Sequence, residues 1–135
     1  MILHGVQPEE LEKIFPLVTE WLSQIPRLAQ KYGLQDVYTE VKTGNWQLWV
    51  FMGDEVDGVL LTTITQYPHW KELSLVGLAG RKMKQWLAES DKLKPIECFA
   101  ERHECNAVVM VGARKGFTKI FKDYTADRVV LEKLL

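Results

Sequence analysis

One short stretch decides how the rest of the chain is interpreted, and it reads Leu75-Val76-Gly77-Leu78-Ala79-Gly80-Arg81-Lys82. Its first residues continue a strand-like run from Glu72, and its glycines predict a turn. Met83, Trp86 and Leu87 then fall on one face of a helix. Because glycines let a phosphate approach the backbone and two cations follow them, the stretch suits an anion such as pyrophosphate. A tight turn whose glycines serve backbone geometry is the alternative.

The residues before this stretch predict helices and then a hairpin. Pro8 can open a helix in which apolar residues recur with helical period over 11–25, with a bend expected at Pro16. A shorter helical piece follows up to Tyr32, and Asp36 can cap a third helix. Segments 46–51 and 56–66 are rich in aromatic and β-branched residues, so they predict an antiparallel hairpin. A second turn at 67–69 leads to a strand at 72–76.

The residues after it complete one domain. Pro95 can open a helix, and 107–111 predicts a buried strand. A mixed loop and short helix are expected over 112–124 and a final strand over 128–135. Since we find no linker or repeat, we expect a single domain over 1–135, with an α/β fold of the α+β kind.

Composition narrows the classes of function. The 135 residues are 47% hydrophobic and 26% charged, with a net charge of -1. A chain with almost no net charge does not attract the negatively charged backbone of nucleic acids over a distance. Nucleic-acid binding is therefore the least expected class of function. The longest apolar runs, such as 107–111, are far below the roughly 18 residues that cross a bilayer. The first residues lack the basic and apolar regions of a signal peptide. We therefore expect no membrane contact and a cytoplasmic location.

Metal and nucleophilic chemistry are not expected either. Cys98, His103 and Cys105 are residue types that bind metals, but their spacing matches no zinc motif. The acidic residues at 54–57 lack the alternation of a calcium-binding EF-hand loop. No Ser-His-Asp signature occurs, and two cysteines are too few for a disulfide framework. We expect no metal and two reduced thiols.

The order of predicted elements resembles that of the GNAT superfamily of acyl-CoA N-acyltransferases. The family's phosphate turn usually reads Gln/Arg-x-x-Gly-x-Gly/Ala; here Ser74 takes the first place, and Gly77 and Ala79 fit the others. The later Gly-Phe pair of the family is present as Gly116-Phe117. The small GNAT-like proteins of tailed bacteriophages are similar over almost the whole chain. Their matching segments are 47–50, 62–68, 96–100, 112–117 and 130–133.

This resemblance implies a mixed, mostly antiparallel central sheet flanked by helices, with acetyl-CoA as co-substrate. In the family, the strand before the phosphate turn parts from its parallel neighbour and hydrogen-bonds the pantetheine arm. Carried over, 73–76 would bind pantetheine, and an N–H near Leu75 or Val76 would stabilise the oxyanion. The expected pyrophosphate ligands are Gly77, Leu78, Ala79, Gly80, Arg81 and Lys82, and Arg114 would meet a phosphate of coenzyme A.

Acetyl transfer also needs a base and an acid. Many family members carry the acid as a tyrosine about four residues before the Gly-Phe pair, where this chain has Gly112. Tyr124 can replace it if its loop folds back, with a core or surface role as the alternative. Glu72 lies where a base often acts through water, although an exposed strand-end carboxylate explains it equally well. His69 is a weaker candidate base, with surface placement as its alternative.

The resemblance therefore implies an acetyltransferase that moves the acetyl group of acetyl-CoA to an unidentified primary amine by direct attack. The alternative is a catalytically inactive GNAT-like protein of a phage virion, or an interaction protein, that contacts phage structural proteins. Stabilisation by acetyl-CoA would distinguish the two.

Overall fold

The computed structural model describes residues 2–25, 28–81, 83–88, 93–110, 123–125 and 131–135. The first half of the chain contains strand β1 (Ile2–Gly5), a 3-10 helix (Pro8–Glu10), helices α1 (Leu11–Leu22), α2 (Leu28–Lys31) and α3 (Leu34–Lys42), and strand β2 (Trp46–Met52). The second half contains strands β3 (Val56–Tyr67) and β4 (Trp70–Gly80), helices α4 (Met83–Ala88) and α5 (Lys94–Arg102), and strand β5 (Ala107–Met110).

The strands form one five-stranded sheet in the order β1-β2-β3-β4-β5. Neighbours from β1 to β4 are antiparallel, whereas β4 and β5 are parallel. The hairpins between β2 and β3 and between β3 and β4 explain this order, since short turns join antiparallel neighbours and the parallel pair needs the crossover through α4 and α5. The predicted mixed, mostly antiparallel sheet flanked by helices is confirmed.

Each face of the sheet carries its own hydrophobic core. We call the cluster under α1, α2 and α3 the first core; it includes Leu11, Val18, Leu48 and Leu61, each at most 1% exposed. The cluster under α4 and α5 is the second core, and it includes Phe51, Leu60, Leu73 and Ile96, none of them exposed. Alternating side chains from the same strands therefore supply both layers.

The helices begin close to where the sequence predicts them. In the first turn the Gln7 backbone N–H donates to Glu10 Oε1 at 3.0 Å. Pro16 lies inside α1 on an exposed position, and the helix continues through it. The third helix starts at Leu34, three residues earlier than a cap at Asp36 predicts, because Asp36 accepts the Gly33 N–H from inside the first turn at 2.8 Å.

Two expectations for the second half were wrong in the residues described. Gly77 to Gly80 are not a turn but the end of β4, because they pair with β3 at Leu61 to Gly58. Residues 131–135, expected in a final strand, have no regular structure and are exposed, while 126–130 lie outside the described residues. The predicted helix after Pro95 is confirmed as α5. In the described parts of the chain no helix is long and apolar enough to span a bilayer.

Candidate functional site

Strand β4 contains one residue more than its antiparallel partner needs. Thr62 pairs with Leu75 and Leu61 pairs with Gly77, so Val76 has no partner in β3. This is a β-bulge, in which the extra residue leaves the regular hydrogen-bond ladder and its backbone is turned. The bulge falls at the position where the sequence predicts the N–H that stabilises an oxyanion.

The opposite edge of β4 changes character at the same point. Glu72 to Leu75 pair in parallel with Ala107 to Met110. Beyond Leu75, no residue that the structure describes pairs with this edge of β4, and residues 111–122 lie outside the description. An edge of free N–H and C=O groups can receive an extended amide chain as an added strand.

The glycines of the stretch accommodate protein neighbours. A Cβ at Gly77 would overlap Ile25 Cγ2, and Ile25 is only 3% exposed. At Gly80 a Cβ would lie 2.6 Å from the Asp57 carbonyl oxygen and 2.7 Å from Gly58 Cα. Close packing therefore accounts for both glycines. Leu78 packs against the second core and Ala79 belongs to the first, so neither side chain projects into an open space.

Arg81 is the one predicted cationic ligand that the structure describes; Lys82 and Arg114 lie outside the described residues. Its Nη1 lies 3.1 Å from Glu55 Oε1, in the turn between β2 and β3. Its guanidinium also lies 5.6 Å from the ring centre of Trp21 on α1. The sequence analysis did not find these two neighbours, which lie far from Arg81 along the chain.

Glu72 is buried, with 5% of its surface exposed, so the alternative of an exposed strand-end carboxylate is wrong. It pairs with Thr65 of β3 and Ala107 of β5. Leu73 and Leu75 belong to the second core, so Glu72 and Ser74 point to the opposite face, the one covered by α1. A buried carboxylate thus lies on the same strand as the bulge and on its N-terminal side.

Tyr124 is held by α5. Its hydroxyl donates a hydrogen bond to Glu97 Oε2 at 2.9 Å, and burial together with this carboxylate raises the pKa of the phenol. Since α5 covers the second core, Tyr124 and Glu72 are associated with opposite faces of the sheet. His69 is exposed in the turn between β3 and β4, as its surface alternative predicts.

A cleft of about 220 Å³ opens between α1, α2 and α3. It is lined mainly by apolar side chains, and Leu22 and Leu28 on its wall flank Ile25, the residue seated on Gly77. The cleft was not predicted, because its lining comes from three short helical segments whose packing no local pattern reveals.

The cysteines carry no sign of a metal site. Cys98 and Cys105 are free and half-buried. Desolvation raises the pKa of Cys105 although Lys71 opposes the shift, so this thiol is less readily ionised than an exposed one. No cluster of three or more potential metal ligands occurs in the part of the chain that the structure describes.

Comparison with known proteins identifies the fold. No protein-family model and no curated protein sequence matches the chain. Solved structures do match it. A probable acetyltransferase is 10% identical, with a TM-score of 0.69 and coverage of 100% of this chain and 97% of that one. A GNAT family acetyltransferase from Staphylococcus aureus is 12% identical, with a TM-score of 0.63 and coverage of 99% and 98%.

A third structure broadens the comparison. A transcriptional regulator from Bacillus halodurans is 14% identical, with a TM-score of 0.65 and coverage of 98% of both chains. At such identities the likeness concerns the fold, and one fold can support different functions. The chain has the fold of the GNAT acetyltransferases.

Proposed function

We propose that this protein is an N-acetyltransferase that binds acetyl-CoA and transfers its acetyl group to a primary amine. The observation that carries the proposal is the β-bulge at Val76, located where the described pairing between β4 and β5 ends. An extended pantetheine arm needs a strand edge with free amides, and the thioester oxygen needs an N–H at the end of that edge. The bulge at Val76, and an edge of β4 that no described residue pairs with beyond Leu75, support both requirements.

The bulge has a chemical role in this proposal. As the amine attacks the thioester carbon, negative charge develops on the thioester oxygen. A backbone N–H that is released from the ladder and fixed by the sheet can stabilise that charge without reorganising, which is worth about 10²- to 10³-fold in rate for one donor. The proposed donor is the backbone N–H of Val76, since Leu75, the other position considered, pairs with Thr62 and with Met110.

Glu72 is the proposed base. A protonated amine cannot attack, and a carboxylate on the same strand as the bulge can accept the proton directly or through a water molecule. Tyr124 stays the proposed acid toward the departing thiolate. The raised pKa of the phenol makes it a weaker acid than an ordinary tyrosine, and its hydrogen bond to Glu97 must open before the proton can move.

The anionic end of the co-substrate is assigned to 77–82 and Arg114. The close packing at Gly77 and Gly80 leaves backbone amides as the ligands from that segment, while Arg81 supplies a side-chain cation. Lys82 and Arg114 complete the set in the proposal. No metal takes part in this chemistry.

Binding of acetyl-CoA tests the proposal first. At a concentration 100-fold above its dissociation constant, a ligand that binds only the native state stabilises it by about 2.7 kcal/mol. For a domain of this length that corresponds to a rise in melting temperature of about 8 to 10 °C. No shift at millimolar acetyl-CoA would contradict the proposal.

Replacement of the proposed base tests the chemistry. We expect Glu72→Gln, which keeps the shape of the side chain, to lower kcat/KM for acetyl transfer by at least about 10²-fold, measured as thiol release with a panel of primary amines. Glu12→Gln, at an exposed position on α1, is the matched control and should leave the rate unchanged. Equal rates in the two variants, with melting temperatures preserved, would remove Glu72 from the mechanism.

One observation favours the second candidate, a catalytically inactive GNAT-like protein that contacts other phage components. The hydroxyl of Tyr124 is already committed to Glu97, and the family's usual acid position holds Gly112. This candidate predicts no thiol release with any amine. Binding to a virion protein in the absence of acetyl-CoA would support it.

A further inference from the structure

The side chain of Arg81 is held between two groups from distant parts of the chain. Glu55 in the turn between β2 and β3 accepts from Nη1 at 3.1 Å, and the ring of Trp21 on α1 lies 5.6 Å from the guanidinium carbon. The Arg81 backbone N–H also donates to the Asp57 carbonyl oxygen at 2.9 Å. The backbone hydrogen bond fixes the position of the Arg81 main chain, and Glu55 and Trp21 are the groups that its guanidinium contacts.

The contact with Glu55 is exchangeable. The side chains of Arg81 and Glu55 are 60% and 67% exposed, so water screens their attraction. Ion pairs of this kind contribute little to folding stability. A guanidinium binds carboxylate and phosphate oxygens through the same N–H groups. An arriving phosphate therefore competes with Glu55 for the same donors.

We propose that Glu55 acts as an internal counter-ion that competes with the diphosphate of coenzyme A for Arg81, while Trp21 positions the guanidinium. The inference rests on the proposed function, in which Arg81 meets that diphosphate. Glu55 thereby lowers the affinity for ligands that carry the diphosphate, and it does not affect ligands that lack it. Asp54 in the same turn and Asp57, the second residue of β3, are further acidic residues beside Glu55 in the sequence.

The ligands for the test are coenzyme A and pantetheine, which lacks the diphosphate and the adenosine 3′-phosphate attached to it. We expect Glu55→Gln to bind coenzyme A about two- to fivefold more tightly than the unaltered protein, because one exposed ion pair no longer has to be broken. Pantetheine should bind both proteins equally. Dissociation constants come from NMR titrations at low ionic strength, with Glu12→Gln as the control carboxylate. The gain should shrink as salt is added.

Repeating the Glu55→Gln change in a protein that lacks Arg81 shows whether the gain in coenzyme A affinity depends on Arg81. In a protein that already carries Arg81→Gln, the further change Glu55→Gln should leave the affinity for coenzyme A unchanged. Trp21→Leu should weaken coenzyme A binding and spare pantetheine, provided that its melting curve shows a folded protein. A cycle in which the two changes at 55 and 81 are additive would refute the competition.

The remaining outcomes separate the two proposals. If coenzyme A binds and Glu55→Gln does not tighten it, or tightens pantetheine to the same extent, the counter-ion role is wrong and the proposed function stands. If coenzyme A at millimolar concentration binds neither the unaltered protein nor the variants, the proposed function fails and the role of Glu55 fails with it.

Discussion

Replacing Gly77 by alanine should destabilise the protein through a single, identifiable contact. The added methyl would overlap Ile25 Cγ2 and lie 3.1 Å from Cδ1, whereas ordinary contacts of a Cβ begin at 3.4 Å. Ile25 is 3% exposed and belongs to the first core, so it has little room to move. Overpacking of this kind costs about 1 to 3 kcal/mol, and the size of the overlap places Gly77→Ala at about 2 to 3 kcal/mol.

The reasoning is tested by combining this change with a cavity at the same place. Ile25→Ala alone should cost about 2 to 4 kcal/mol, because it removes buried methyl groups. The double variant should be no less stable than Ile25→Ala alone, since the added methyl then occupies space that Ile25 has left. Urea unfolding measures all three free energies, and the slope with denaturant should stay constant.

Gly44 provides the matched control. Its φ is +85° and a Cβ there would have no neighbour within 4 Å, so Gly44→Ala introduces backbone strain without a clash. Its cost of about 1 kcal/mol should add to that of Ile25→Ala. Additive costs for Gly77→Ala and Ile25→Ala would refute the contact as the reason for the glycine.

Two further predictions concern buried polar groups. Thr62→Val should cost about 1 to 3 kcal/mol in urea unfolding, because the Trp49 indole N–H donates to Thr62 Oγ1 at 3.0 Å and this hydroxyl in turn donates to Gln47 Oε1 at 2.9 Å. The raised pKa of Tyr124 predicts a loss of stability above about pH 10, where the phenol ionises in the unfolded chain but not in the folded one. Tyr124→Phe should remove this part of the pH dependence, and unchanged curves between pH 9 and pH 11 would contradict the assignment.

Local patterns were sufficient to predict the central hairpin. Aromatic and β-branched residues on either side of a polar link predicted the pairing of β2 with β3. The mixed, mostly antiparallel sheet was expected from the resemblance to the GNAT superfamily. Glycine at 77 and 80 misled the prediction, because a residue without a side chain is typical both of turns and of strands that another group approaches closely. The partners, Ile25 and Gly58, lie too far along the chain for a local pattern to include them.

The candidate site was predicted by chemistry and not by geometry. The sequence shows that Glu72 lies on a strand, but its burial depends on the β4–β5 pairing and on the helices that cover that face. The bulge at Val76 could not be predicted from that residue alone. It arises because β4 has three residues, Leu75 to Gly77, opposite two adjacent residues of β3. The pairing of Arg81 with Glu55 likewise follows from the register of β3 and β4, which no single segment contains.

Deleting the bulged residue, Val76, would test whether the sheet pairing and the proposed chemistry can be separated. Removing Val76 would place Leu75 next to Gly77, and every cross-strand partner on both sides would keep the neighbour it has now. Side chains would then alternate regularly along β4 without a bulge, and Leu78 would still face the second core and Ala79 the first. The pairing register thus does not depend on the extra residue, although its side chain packs against the first core. A shortened protein that folds but lacks the proposed acetyl transfer would assign that residue to the chemistry.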